Sequence, residues 1–168
     1  MKKRIKFFVM DVDGTLTDGK IYMGENGEIM KAFDIKDGYA IHDLLPENEI
    51  LPVIITGRES NFLKNRCTEL GIVEVYQNIR DKIKQLEQIL SAKQCSAQVD
   101  YSVVAYIGDD LNDLPCMNLI KLSGGLIGCP NDAILAVKKN ADFISSHNGG
   151  NGAVREFVEW IIEKESLL

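Results

Sequence analysis

Apolar residues fall in short continuous blocks along this chain, and several blocks stop at a sharply polar turn. Phe7, Phe8, Val9 and Met10 run together and end at Asp11-Val12-Asp13-Gly14-Thr15-Leu16-Thr17-Asp18. An uninterrupted apolar run of this length, bounded by turn residues, predicts a strand buried on both faces, as in a parallel sheet; it is placed at residues 4–10. Ile50 to Ile55 repeats the pattern and ends at Thr56-Gly57-Arg58, and Ser102 to Ile107 ends at Gly108-Asp109-Asp110-Leu111-Asn112-Asp113. Shorter strands are expected at Val73 to Tyr76, Leu122 to Ile127 and Asp142 to Ile144.

The segments between these blocks carry helical spacing. Asp37 is expected to cap a helix running to about Leu45, with Ala40, Ile41, Leu44 and Leu45 on one face. A second helix is expected from Ser60 to Leu70, closed by Gly71 at the first position beyond it. Lys82 to Leu90 is amphipathic through Ile83, Leu86, Ile89 and Leu90. A short helix after Asp113, one from Asn131 and a last one from Gly152 to Glu163 complete the set. Lys20 to Met23 and Ile29 to Phe33 flank a Gly/Asn turn and predict a hairpin. Isolated hairpins are marginal in water, so Ile21, Met23, Ile29 and Phe33 call for a partner, either the rest of this domain or another subunit. Alternation of strand and helix predicts one α/β domain over residues 1–168, a mostly parallel sheet with helices on both faces. The hairpin flap occupies about 20–33.

Composition narrows the function classes. A chain of 168 residues is long enough for a substantial single core. Its formal net charge of −6 argues against nucleic acid as a partner, which needs a basic face, but leaves room for a small anionic substrate. Cys67, Cys95, Cys116 and Cys129 contain no CxxC pair, which makes a zinc site unexpected, and they are read as reduced thiols in a cytoplasm. No apolar run approaches the roughly 20 residues that span a bilayer, so no membrane partner is expected. His42 and His147 read as surface or packing residues, and no P-loop or complete GxGxxG spacing occurs.

The polar turns carry the chemistry. Strand ends of a parallel sheet share one edge, so Asp11/Asp13, Thr56/Arg58 and Asp109/Asp110/Asp113 converge. Two carboxylates as close as Asp11 and Asp13 repel one another unless a cation lies between them. Clustered oxygens with few His or Cys residues suit a hard ion such as Mg²⁺. A hydroxyl and a lysine beside that ion would hold a phosphoryl group, and a carboxylate could act as the nucleophile.

In that order, Asp11-Val12-Asp13-Gly14-Thr15, Thr56-Gly57, Lys82 and Gly108-Asp109-Asp110-Leu111-Asn112-Asp113 resemble the four motifs of the haloacid dehalogenase superfamily of phosphohydrolases. The resemblance implies a Rossmann-like fold and a phosphoric monoester hydrolase. It gives Asp11 the role of nucleophile, Asp13 that of proton donor and then base, and Thr56 and Lys82 the phosphoryl oxygens. Mg²⁺ would be held by Asp11, the Asp13 backbone carbonyl and Asp109, with Asp110 or Asp113 in support. The whole chain further resembles the capless, tetrameric sugar-phosphate phosphatases, through Thr17-Asp18-Gly19, Lys36-Asp37-Gly38, Thr56-Gly57-Arg58 and Gly149 to Glu156. Members of that group act on 3-deoxy-D-manno-octulosonate 8-phosphate or on nine-carbon sialic-acid-type 9-phosphates. The group is a homotetramer assembled by its hairpins, with a neighbour's C-terminal segment helping to close the site.

The resemblance makes Arg58, Asn151 and Arg155 candidates for substrate binding. Arg58 favours the eight-carbon acid. Asn151 stands where the octulosonate phosphatases usually carry an arginine, and pulls toward the nine-carbon substrates. A non-catalytic oligomerisation module, related to domains fused to cytidylyltransferases, is the alternative from another class; Asp11, Asp13, Thr56, Lys82 and Asp109 all being present speaks against it.

Overall fold

Period-two alternation inside the buried strands sorts the core into two layers. The computed structural model describes residues 4–96 and 98–166. Its central strand, β1 (Phe7–Met10), sends Phe8 and Met10 into one layer and Phe7 and Val9 into the other. Strands β4 (Leu51–Ile55) and β5 (Glu74–Tyr76) lie on one side of β1; β6 (Val104–Ile107), β7 (Leu126–Cys129) and β8 (Phe143–Ile144) lie on the other. The order is β5-β4-β1-β6-β7-β8, and every pairing is parallel.

One face is covered by α1 (Ile35–Tyr39), a π-helical turn (Ala40–Leu44), α2 (Leu45–Glu47), α3 (Asn61–Glu69) and α7 (Ala153–Ser166). Their Ile41, Leu63, Phe157 and Ile161 join Phe8, Met10 and Ile54. The other face is covered by α4 (Lys82–Gln94), α5 (Leu114–Leu122) and α6 (Leu135–Asn140), whose Leu86, Leu90, Met117 and Val137 join Val9, Ile55 and Tyr106. Among the described residues no helix is long and apolar enough to cross a membrane.

The antiparallel hairpin β2 (Tyr22–Gly24) and β3 (Gly27–Met30) forms a sheet of its own outside the main one. Its tether to the domain includes polar bonds: Glu28 accepts from the Ser60 hydroxyl at 2.7 Å and from Arg58 at 3.3 Å. Its apolar side chains stay in solvent, with Met23 63% and Ile29 58% exposed.

Three expectations about elements need correction. Asp37 does not cap the helix it was assigned to. Asp34 does, accepting from Lys36 N at 2.6 Å, while Asp37 lies inside α1 and is fully buried. The carboxylate of Asp37 instead accepts from the backbone of Gly152 at 3.2 Å and Arg155 at 2.8 Å, capping α7 from across the fold. The expected strand from Leu122 begins only at Leu126, because Leu122 still belongs to α5 and a turn at Gly124 and Gly125 follows. The helix expected from Asn131 starts at Leu135; Asn131 N is taken by His147 O, which holds that stretch as a turn.

Candidate active site

The strand order reverses between β1 and β6: from β1 the chain moves outward through β4 to β5, then crosses back to β6 and moves outward through β7 to β8 on the other side. Ligands of open α/β sheets bind at such a point, beyond the carboxyl ends of the strands. There the turn after β1 carries Asp11 and Asp13, the turn after β4 carries Thr56 and Arg58, and the turn after β6 carries Asp109 and Asp113.

Lys82, the first residue of α4, is buried and shared between two carboxylates. Its ammonium is 2.6 Å from Asp11 Oδ1 and 2.8 Å from Asp113 Oδ1. Burial works against the charged ammonium, but the Asp11 and Asp113 charges outweigh it and hold the lysine pKa above its usual value. Asp113 also accepts from the Tyr106 hydroxyl at 2.7 Å, from Asp109 N at 3.0 Å and from Asp110 N at 3.2 Å. It therefore fixes both the lysine and the loop that presents Asp109. Asp110 is exposed, and its carboxylate accepts from the neighbouring Leu111 N, so of the two candidate supports only Asp113 enters the cluster.

Asp109 accepts from the Thr15 hydroxyl at 3.1 Å. Its Oδ2 would stand 2.1 Å from a Cβ at position 14, and Gly14 also has φ +97°, so a side chain there is excluded twice over. Burial first, and then the Asp11 and Asp113 charges, push the Asp109 carboxyl up to about 8. Asp11 rises to about 6 through burial and the Asp113 charge, offset in part by Lys82.

Asp13 and Thr56 lie at the same edge. Asp13 bonds to Lys31 of the flap, and its Oδ2 is 3.7 Å from Arg58 Nε. Thr56 is buried, and its hydroxyl accepts from Arg58 N at 3.5 Å. Asn151 and Arg155 are not brought to the cluster by any bond among the described residues. Asn151 is exposed; Arg155 pairs with Glu159 at 2.6 Å and lies over the Tyr39 ring at 4.9 Å. It lines a separate cleft with Lys36, His147, Gly152, Glu156 and Glu159. The glycines before it have a distinct use. A Cβ on Gly149 would lie 1.9 Å from Gly14 O, so the backbone of this segment packs directly on the turn after β1.

Sequence reasoning missed four participants. Tyr106 reads as one more apolar strand residue, Thr15 as part of a turn, and Glu28 and Lys31 as ordinary hairpin charges. Only a tyrosine hydroxyl inside an otherwise apolar strand offered a signal, since a buried phenol needs a partner.

No family model matches the chain. It is 39% identical over 166 residues to the 3-deoxy-D-manno-octulosonate 8-phosphate phosphatase KdsC of Salmonella typhi, covering 99% of this chain and 84% of that protein. The crystal structure of the Yersinia pestis 3-deoxy-D-manno-octulosonate 8-phosphate phosphatase is similar, with a TM-score of 0.86 and 38% identity over 96% of this chain and 83% of that one. The chain belongs to the KdsC family of haloacid dehalogenase-type phosphatases. A further solved member, from Moraxella catarrhalis, has a TM-score of 0.84 and 37% identity over 95% of this chain and 86% of that one. It was determined with magnesium, phosphate and KDO.

The residues present fit such an ion. Carboxylate oxygens of Asp11, Asp109 and Asp113 lie within 4.8 Å of one another, and Lys82 supplies one positive charge among three acids. Burial first, and then repulsion among these acids, raises the Asp11 and Asp109 carboxyls, and a cation among them would offset that repulsion. An all-oxygen donor set with no His or Cys matches Mg²⁺.

Proposed function

We propose that this chain is a Mg²⁺-dependent phosphatase of 3-deoxy-D-manno-octulosonate 8-phosphate, working through a phosphorylated Asp11. The observation that carries this reading is the buried Asp11–Lys82–Asp113 array beside Asp109, in a chain of KdsC family membership. Asp11, the Asp13 backbone carbonyl and Asp109 would hold the magnesium, with Asp113 behind them. The ion supplies positive charge that neutralises the phosphoryl oxygens and keeps Asp11 ionised.

Lys82 holds the Asp11 carboxylate in place, and an Asp11 oxygen forms a bond to phosphorus as the ester P–O bond breaks. Asp13 gives its proton to the departing sugar oxygen. The resulting Asp13 carboxylate then takes a proton from water, whose oxygen attacks the same phosphorus; the bond from Asp11 to phosphorus breaks, and inorganic phosphate leaves. Thr56 and Lys82 hold the phosphoryl oxygens through these two displacements. Arg58, half exposed at the mouth, suits the carboxylate of the sugar acid. Asn151 and Arg155, away from the cluster, are assigned substrate contact only across a subunit boundary.

The exposed apolar face of the hairpin supports a homotetramer as the working form, because residues such as Met23 and Ile29 gain a partner there. Four free cysteines, three of them buried, suit a reducing compartment, and the reading places the enzyme in the cytoplasm.

Phosphate release with Mg²⁺ tests the substrate. Strong preference for the octulosonate 8-phosphate over nine-carbon 9-phosphates and hexose phosphates is expected. Preference for a nine-carbon acid would transfer weight from Arg58 to Asn151. Absence of turnover of any of them with metal bound would return the chain to the non-catalytic class.

A further inference from the structure

The flap reaches the site through a lysine. Lys31, one residue beyond β3, is long and charged, yet its side chain is only 1% exposed. An unpaired ammonium could not be buried so completely, so its partners define its place. It donates to Asp13 Oδ1 and lies 3.2 Å from Glu28 Oε1.

The same two acids meet a second cation. Arg58 Nη2 lies 3.3 Å from Glu28 Oε1, and Arg58 Nε lies 3.7 Å from Asp13 Oδ2. Asp13, Lys31, Glu28 and Arg58 thus form a closed ring of alternating charge, and each oxygen of Asp13 faces a different cation. Glu28 adds a bond from the Ser60 hydroxyl at 2.7 Å, which fastens the ring to the start of α3. The ring joins three chain segments: the turn after β1, the hairpin, and the turn after β4 that also carries Thr56. Lys31 bonds one Asp13 oxygen while Arg58 stays 3.7 Å from the other, beyond hydrogen-bond distance, so the carboxyl has little rotational freedom yet keeps Oδ2 for the proton that must meet the leaving oxygen.

We propose that Lys31 and Glu28 are positioning residues for proton transfer by Asp13, Lys31 by aiming the Asp13 carboxyl and Glu28 by holding Lys31 and Arg58 on either side of it. The proposal rests on the assignment of Asp13 as proton donor. It makes the hairpin part of the catalytic apparatus of its own subunit, in addition to any role in assembly.

The test separates substrates by their need for a proton. A sugar phosphate departs as an alkoxide and requires one; p-nitrophenyl phosphate departs as a stabilised phenolate and does not. First-turnover release of the leaving group should be measured for both, with Mg²⁺, in Lys31→Met, Lys31→Arg, Glu28→Gln and Asp13→Asn, each checked for folding by circular dichroism. Lys31→Met and Glu28→Gln should slow release of the sugar on the order of tenfold or more, with p-nitrophenolate release changed by less than about threefold, and Lys31→Arg should recover most of the loss. Equal slowing of both substrates by Lys31→Met and Glu28→Gln would make the ring a structural tie only and overturn the proposal. If Asp13→Asn itself shows no leaving-group dependence, the assignment of Asp13 fails instead. If Lys31→Met does not fold, Glu28→Gln and Lys31→Arg decide by the same ratio.

Discussion

Tyr106 donates its phenolic hydrogen to Asp113 Oδ1 across 2.7 Å, and both side chains are fully buried. Because Lys82 bonds to the same oxygen, the tyrosine sets where the lysine stands and, through it, where Asp11 stands. Tyr106→Phe deletes one donor from a carboxylate that keeps three others. A stability loss of about 1 kcal/mol and a rate loss of less than about tenfold are expected, from urea unfolding and steady-state phosphate release. No change in either would show that the hydroxyl is idle.

Removing the lysine is another matter. Lys82→Met strands Asp11 and Asp113 as neighbouring buried charges, and breaking such a pair from one side costs about 3–5 kcal/mol. Phosphatase activity should vanish with it. The double variant Lys82→Met/Asp113→Asn should regain much of the stability and none of the activity. Recovery of turnover in the double variant would remove Lys82 from the chemistry.

Magnesium should stabilise the protein through Asp109. In a melting series, added Mg²⁺ is expected to raise the Tm of the wild type and to leave that of Asp109→Asn nearly unmoved. In metal-free buffer Asp109→Asn should melt no lower than wild type, because the wild-type carboxyl, pushed up to about 8 by burial and by the Asp11 and Asp113 charges, must take up a proton on folding at neutral pH, and the amide need not. An equal magnesium shift in both proteins would place the ion elsewhere.

Asp37→Ala probes the capping of α7 from the far side of the layer. Two backbone N–H groups lose their acceptor, for an expected loss of about 1–2 kcal/mol, with kcat little changed because neither group touches the carboxylate cluster. Chemical denaturation with and without the substitution measures it, and an unaltered midpoint would refute the cap.

The hold on the flap should be acid-labile. Burial alone would raise the Glu28 carboxyl, but the Ser60 hydroxyl, Lys31 and Arg58 outweigh it and keep it below its ordinary 4.5. A carboxyl whose folded pKa is depressed stabilises fully above its unfolded value and loses that contribution as the pH falls through the folded one. The stability gap between wild type and Glu28→Gln should therefore be widest near neutrality and narrow below about pH 4. A gap independent of pH would mean that the carboxylate charge is not what holds the hairpin.

Residues whose meaning lies at the end of their own strand were legible in advance. Asp11, Asp13, Thr56 and Asp109 announce themselves because an apolar run stops at each motif, and parallel topology then gathers them. Asp37 was misassigned because Asp34 and Asp37 both precede or open a helix with equivalent side chains; only the approach of Gly152 and Arg155 decides between them. Tyr106, Lys31 and Glu28 stayed hidden for a related reason. Their partners lie in other segments, and one-dimensional spacing says nothing about such contacts. The late start of α6 reflects the tertiary bond from Asn131 N to His147 O, while that of β7 reflects the local continuation of α5 to Leu122 and the turn at Gly124 that closes it.

The place of β1 also governs when the enzyme can come to life on the ribosome. Phe7 pairs with Leu51 on one side and with Val104 on the other, and the Gly149 segment finally packs against the Asp13-Gly14 turn. β1 is thus enclosed by segments distant in sequence, a long-range topology of the kind that folds slowly. Until the segment carrying Asp109 and Asp113 emerges, the nascent chain holds Asp11 without the other two carboxylates of its cluster. Assembly of the carboxylate cluster therefore waits on the segment after β6, long after Asp11 has been made.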